Sequence, residues 1–150
     1  MYEKKRPMKE NVYKGSAVIV EDDKLLALVQ ERILAKLGYQ VVAKVKTAED
    51  AIWEVKNQEP DFILMDISLK GDKDGIEAVQ EIRKFSDVSV IYLSGTSDKY
   101  NYERAKKTGF IDYLIKPVTA GDLAGPLEEA ATGKRSARHG RMSDNVNRAS

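Results

Sequence analysis

The chain has 150 residues, enough for one domain with modest extensions and a core that needs no covalent staples. Lys and Arg number 25 against 24 Asp and Glu, so no basic excess points to nucleic acid. Cysteine is absent, which excludes disulfides, thiolate catalysis and Cys-based zinc sites and fits a reducing compartment.

Residues 1–14 are polar and basic, without the apolar stretch of an export signal, and are expected to form a flexible extension. The patterned region, 15–131, then alternates two kinds of segment. Ala17-Val18-Ile19-Val20 is a β-branched run that stops at Glu21-Asp22-Asp23. Leu25, Leu28, Val29, Ile33 and Leu37 follow at helical spacing and predict a helix closed by Gly38. Val41 to Val45 is a second strand, and Thr47 with Asp50 looks like a capping pair before Ala51, Ile52 and Val55. Phe62 to Met65 is a third strand ending at Asp66. Asp74 reads as the N-cap of a helix carrying Ile76, Val79 and Ile82. Val88 to Leu93 is a fourth strand ending at Ser94-Gly95, and residues 98–108 make a polar helix closed by Gly109. Ile111 to Ile115 is the fifth strand, ending at Lys116-Pro117. The last helix, 119–131, is expected to be short or kinked, because Gly121, Gly125 and Pro126 oppose a regular one. Residues 132–150 carry five Lys or Arg and no periodicity, and read as a flexible basic tail. No apolar run approaches membrane-spanning length, so a cytoplasmic location is expected.

Five short apolar strands alternating with helices predict an α/β fold: a doubly wound parallel sheet with helices on both faces. Such sheets bind ligands at the carboxyl ends of their strands. That edge would gather Glu21, Asp22, Asp66, Ser94 and Lys116. Clustered carboxylates repel one another unless a cation joins them, and an oxygen-only set without His or Cys suits Mg²⁺. Asp66 can then act as a carboxylate nucleophile toward phosphorus, with Lys116 neutralising phosphoryl charge and Ser94 donating a hydrogen bond.

The successive segments VIVEDD, ILMDISL, DGIEAVQEIR, YLSG and DYLIKP resemble the signatures of the bacterial response-regulator receiver family, over residues 16–131. The resemblance implies a (βα)5 sandwich with flavodoxin-like strand order 2-1-3-4-5. It implies Asp66 as phosphoacceptor and Mg²⁺ held by Asp22 directly, by Glu21 through water, by Asp66 and by the backbone carbonyl of Ser68. Lys116 and Ser94 match the family's catalytic lysine and switch hydroxyl, and Pro117 would follow a cis peptide bond. Tyr113 matches the aromatic residue that changes rotamer with the hydroxyl; it reads equally as a half-buried packing ring. The implied donor is a sensor histidine kinase or histidine phosphotransfer protein. The implied output is a downstream effector binding the face of helix 4, strand 5 and helix 5. The chain is expected to be a switch that dephosphorylates itself slowly, not a turnover enzyme.

The loop SLKGDKDG departs from the usual pattern. It lacks the common proline and is one residue longer, which blurs the separate roles of Asp72 and Asp74. Ser68 and Thr96 are neither the acid nor the amide that readily orients an attacking water. Three other readings compete. A pseudo-receiver would keep the fold without taking phosphate, but its mark is loss of Asp66, of the acidic pair or of Lys116, and all are present. A magnesium phosphatase would want a second acid two residues after the nucleophile, where Ser68 stands. A nucleotide-binding fold would want a Gly-rich loop after the first strand. His139 lies in the basic tail and does not read as a phosphodonor. No output domain is expected after residue 131.

Overall fold

The computed structural model describes residues 12–132. Of the two expected extensions, 1–11, 133–150 and with them His139 lie outside the described residues.

The chain order is β1 (Gly15–Val20), α1 (Lys24–Lys36), β2 (Tyr39–Val45), α2 (Ala48–Gln58), β3 (Phe62–Asp66), α3 (Gly75–Ile82), β4 (Ser89–Ser94), α4 (Lys99–Lys106), β5 (Asp112–Ile115) and α5 (Ala120–Thr132). All strand pairs are parallel, and the sheet order is β2-β1-β3-β4-β5. Side chains alternate across the strands, so each strand feeds two cores. Val18, Val20, Ile63 and Met65 pack with Ala51, Val55, Ile76, Val79 and Tyr102, which puts α2, α3 and α4 on one face. Ala17, Ile19, Phe62 and Leu64 pack with Ala27, Leu34, Leu123 and Leu127, which puts α1 and α5 on the other.

Local signals explain most boundaries. Asp23, Thr47, Asp74 and Asp98 are N-caps that accept from the first turns of α1 to α4. Gly38 and Gly109 hold φ +98° and +77° where α1 and α4 end, a conformation that costs glycine little.

Two expectations fail. The apolar stripe read on α1 is split: Leu25, Leu28 and Val29 are 68%, 39% and 43% exposed, whereas Ile33 and Leu37 pack on the core. The residues that α1 buries are Ala27, Gln30 and Leu34, with Ile33 and Leu37 partly buried beside them. Both faces of this helix are rich in apolar side chains, so periodicity alone does not select the buried one. The last helix is the second failure. It runs as 13 residues through Pro126. Thr119 and Asp122 cap its start reciprocally, at 3.0 and 3.1 Å. Leu123, Pro126 and Leu127 are buried. Packing against the sheet outweighs poor helix propensity, as it commonly does.

Candidate functional site

The parallel register places the charged strand ends in one row. Val20 pairs with Met65, Asp66 with Leu93, and Ser94 with Ile115. Glu21, Asp66, Ser94 and Lys116 therefore meet at the carboxyl edge. Beyond the strands the backbone stays tied: Ile67 N–H donates to Leu93 and Lys116 N–H to Ser94, at 3.0 and 2.8 Å. The Lys116-Pro117 bond is cis, as expected.

Glu21, Asp22 and Asp66 each offer a carboxylate oxygen, and these atoms lie within 4.8 Å of one another. Glu21 and Asp66 are almost fully buried, at 2% and 1% exposure, and Asp22 is half-buried. Burial first, and the Glu21 charge second, push the Asp66 carboxyl up to about 6, against the pull of Lys116 and the Ser68 N–H. Lys116 Nζ reaches Asp66 Oδ1 and Glu21 Oε1, both at 3.2 Å. Burial works against its charge, but Asp66 and Glu21 outweigh burial and hold its pKa above the ordinary value. Two buried carboxylates beside a half-buried third, facing one ammonium, form an acidic set whose charge a further cation would balance. All its donors are oxygens, the hard set that Mg²⁺ prefers.

Asp66 is held from below. Its Oδ1 accepts from Ser68 N–H at 3.1 Å. Gly75, the first residue of α3, lies so close under the strand end that a Cβ there would collide with the Asp66 carbonyl. Its N–H donates to the Ile67 carbonyl at 2.9 Å. Glycine is thus required for α3 to begin directly beneath the acceptor. Ser68 itself stands at the exposed lip.

Ser94 is buried, and its hydroxyl donates to the Thr96 carbonyl at 2.8 Å while accepting from Thr96 N–H at 3.2 Å. Tyr113 is fully buried, its ring 5.3 Å from Tyr102 and 6.2 Å from Tyr92. Burial raises its phenol, and a hydrogen bond with Ser94 works the other way. In this conformation Tyr113 is a packed ring that also touches the hydroxyl row.

Several neighbours escaped the sequence reading. Gln30 Nε2 donates to Glu21 Oε1 at 3.1 Å, and Asp23 N–H donates to Glu21 Oε2 at 3.2 Å. The sequence reading did not single out Gln30; the sign of its burial was its place three residues from Ala27 and four from Leu34. Arg104 of α4 grips Asp74 through two bonds, Nη1–Oδ2 at 2.9 Å and Nη2–Oδ1 at 3.3 Å, and so ties α4 to the loop after Asp66. Asp74 also caps α3 in a reciprocal box with Glu77, which settles its place in the longer loop; Asp72 is exposed.

Comparison with known proteins agrees with this fold. A family model described as the response regulator receiver domain matches residues 17–128. The transcriptional regulatory protein PdtaR of Mycobacterium tuberculosis is 29% identical over 115 residues, which cover 77% of this chain and 56% of that protein. The transcriptional regulatory protein YvrH of Bacillus subtilis is 33% identical over 110 residues, 73% of this chain and 46% of that one. The chain thus spans about half the length of these curated relatives. Among solved structures, the signal receiver domain of a modulated diguanylate cyclase from Desulfovibrio desulfuricans G20 aligns with TM-score 0.75 and 31% identity, covering 82% of this chain and 98% of that one.

Proposed function

The chain belongs to the response-regulator receiver family, and on that premise we propose that it is a magnesium-dependent switch that takes a phosphoryl group onto Asp66 from a sensor histidine kinase or a histidine phosphotransfer protein. The observation that carries this reading is the pair of buried carboxylates, Asp66 and Glu21, with the half-buried Lys116 ammonium 3.2 Å from each.

The residues divide the work by position. Asp22, Glu21 and Asp66 would hold the metal, with the Ser68 carbonyl as a further oxygen. When bound, Mg²⁺ supplies positive charge against the phosphoryl oxygens. An Asp66 carboxylate oxygen attacks phosphorus; its P–O bond forms as the donor's phosphorus–nitrogen bond breaks, and the donor imidazole leaves. The attack needs Asp66 ionised, the form that Lys116 and the Ser68 N–H favour. Lys116 transfers its contact from Asp66 to the phosphoryl oxygens and neutralises them. Ser94 gives up the Thr96 carbonyl and donates to the phosphoryl group.

That turn of Ser94 is the proposed start of the signal. Tyr113 of β5 lies beside Ser94 and packs on Tyr102 of α4, so a change at the hydroxyl reaches β5 and α4 through contiguous rings. Phosphorylation would shift an existing balance of conformations, read by a downstream effector protein on that face. Among the described residues no helix is long and apolar enough to cross a membrane.

The test is phosphoryl uptake from a small phosphodonor with Mg²⁺, followed by intact mass. The expected result is one added phosphoryl group, lost in Asp66→Asn and lost when the metal is chelated. No uptake by the folded parent would leave a pseudo-receiver, an interaction module that keeps the fold without the chemistry. Uptake that persists in Asp66→Asn would identify a different acceptor.

A further inference from the structure

Gln30 is a buried polar side chain that the phosphoryl-transfer scheme leaves without a task. It sits on the buried stripe of α1 between Ala27 and Leu34 and is 3% exposed. Its Nε2 donates to Glu21 Oε1 at 3.1 Å. Its own Oε1 is buried with no hydrogen-bond partner among the described residues. A buried acceptor without a partner opposes folding, whereas a leucine of similar size would add apolar contact at no such cost. Natural sequences break core rules of this kind chiefly at functional sites.

We propose that Gln30 is a positioning residue, whose amide N–H fixes the Glu21 carboxylate in the orientation needed to hold a divalent cation together with Asp22 and Asp66. The inference rests on the magnesium reading above. Glu21 has three donors: Asp23 N–H at Oε2, Gln30 at Oε1, and Lys116, 3.2 and 3.4 Å from the two oxygens. Lys116 is shared with Asp66 and is the donor that an incoming phosphoryl group claims. Once it leaves, Glu21 keeps only its two neutral donors. The Asp23 N–H belongs to the cap of α1; Gln30 belongs to the helix interior, pinned between Ala27 and Leu34. It therefore ties the carboxylate to the rigid body of the fold. A neutral donor also does this without the positive charge that would repel a cation. Groups that orient metal ligands from behind commonly change affinity 10- to 100-fold when removed.

The experiment compares the parent with Gln30→Leu and Gln30→Met, both of which fill the space without a donor. Thermal unfolding is measured without metal. Mg²⁺ alone is then titrated into the unphosphorylated proteins, followed by the backbone amide NMR shifts of Glu21 and Asp22. The expected result is a roughly 10-fold weaker Mg²⁺ affinity in both variants, with a metal-free Tm equal to or above the parent's. A purely structural role cannot move these two readouts in opposite directions. Parent-like Mg²⁺ affinity in both variants would overturn the proposal. So would a loss of affinity accompanied by a lowered Tm in both, which is the mark of packing damage. A folded parent that binds no Mg²⁺ would instead overturn the metal reading, and this inference with it, before any variant is considered.

Discussion

The two edges of the sheet treat charge in opposite ways. At the amino edge Asp61 and Arg83 are met by neighbouring backbone groups. Asp61 accepts from Ser16 N–H at 2.7 Å, and Arg83 donates to the carbonyls of Thr108, Gly109 and Ser86 at 2.8, 3.0 and 3.3 Å. At the carboxyl edge Glu21 and Asp66 are buried side by side, with Asp22 next to them and Lys116 between. The amino edge uses charge to close the ends of α3, α4 and β5. The carboxyl edge gathers like charges that Lys116 offsets only in part. Electrostatic conflict of this kind marks the working end of a fold, whereas full pairing marks its scaffold.

The sharpest way to break that comparison is to remove the conflict. Asp66→Asn is expected to stabilise the metal-free protein at neutral pH by up to about 3 kcal/mol, the rise in the Asp66 pKa taken at about 1.4 kcal/mol per unit. The folded carboxyl is pushed from 3.8 to about 6, so the folded state binds the extra proton across that window. Stability contributed by this group therefore falls as the pH rises from about 4 to 6 and is fully lost above 6. Urea unfolding of the metal-free proteins between pH 4 and 7 checks this. The parent should lose stability relative to Asp66→Asn as pH rises, and parallel curves would show that the edge stores no conflict.

The amino edge should respond with the opposite sign. Arg83→Met keeps the apolar stem but leaves the Thr108 and Gly109 carbonyls without their guanidinium donor. Loss of these charged hydrogen bonds is expected to destabilise the protein by about 2 kcal/mol. Mg²⁺ affinity should stay as in the parent. Denaturation midpoints and a metal titration on the same samples make the check, and a changed metal affinity would mean that the two edges are not independent.

The difference between the edges also governs what the sequence could tell. The five strands were legible because β-branched runs such as Ala17–Val20 and Val88–Leu93 end abruptly at charge, and a parallel sheet brings such ends together whatever the details of packing. Glu21, Asp66, Ser94 and Lys116 could thus be placed in one row from the sequence. The face of α1 could not, because Leu25, Leu28 and Val29 satisfy helical spacing as well as Ala27 and Leu34 do. Only docking on the sheet decides between them, and Gln30 takes its buried place from that docking. The length of α5 was hidden for a related reason: propensity counts Gly125 and Pro126 against the helix, and the burial of Leu123 and Leu127 outweighs it. Arg83 and Arg104 act across 25 to 30 residues of chain, and spacing rules see only near neighbours.

Arg104 supplies the finest test, because its pair sits at the carboxyl edge yet resembles the amino edge in being satisfied. The guanidinium grips Asp74 with two bonds, and both side chains are about a quarter exposed. Partial exposure screens the attraction, but two-point geometry raises it above an ordinary surface pair. Arg104→Met is expected to cost about 1 kcal/mol of stability, within the range for such pairs. Asp74→Asn should lose a similar amount while retaining an oxygen to cap α3. The double variant should lose less than the sum, since each single change already removes the shared contact. A four-point cycle of urea unfolding measures this. A coupling near zero would mean that the loop after Asp66 and α4 are joined by packing alone. A clear coupling would mean that a change in the acceptor loop is felt at α4 by a second route beside the Tyr113–Tyr102 contact, and that conflict at the carboxyl edge is confined to the carboxylates and Lys116.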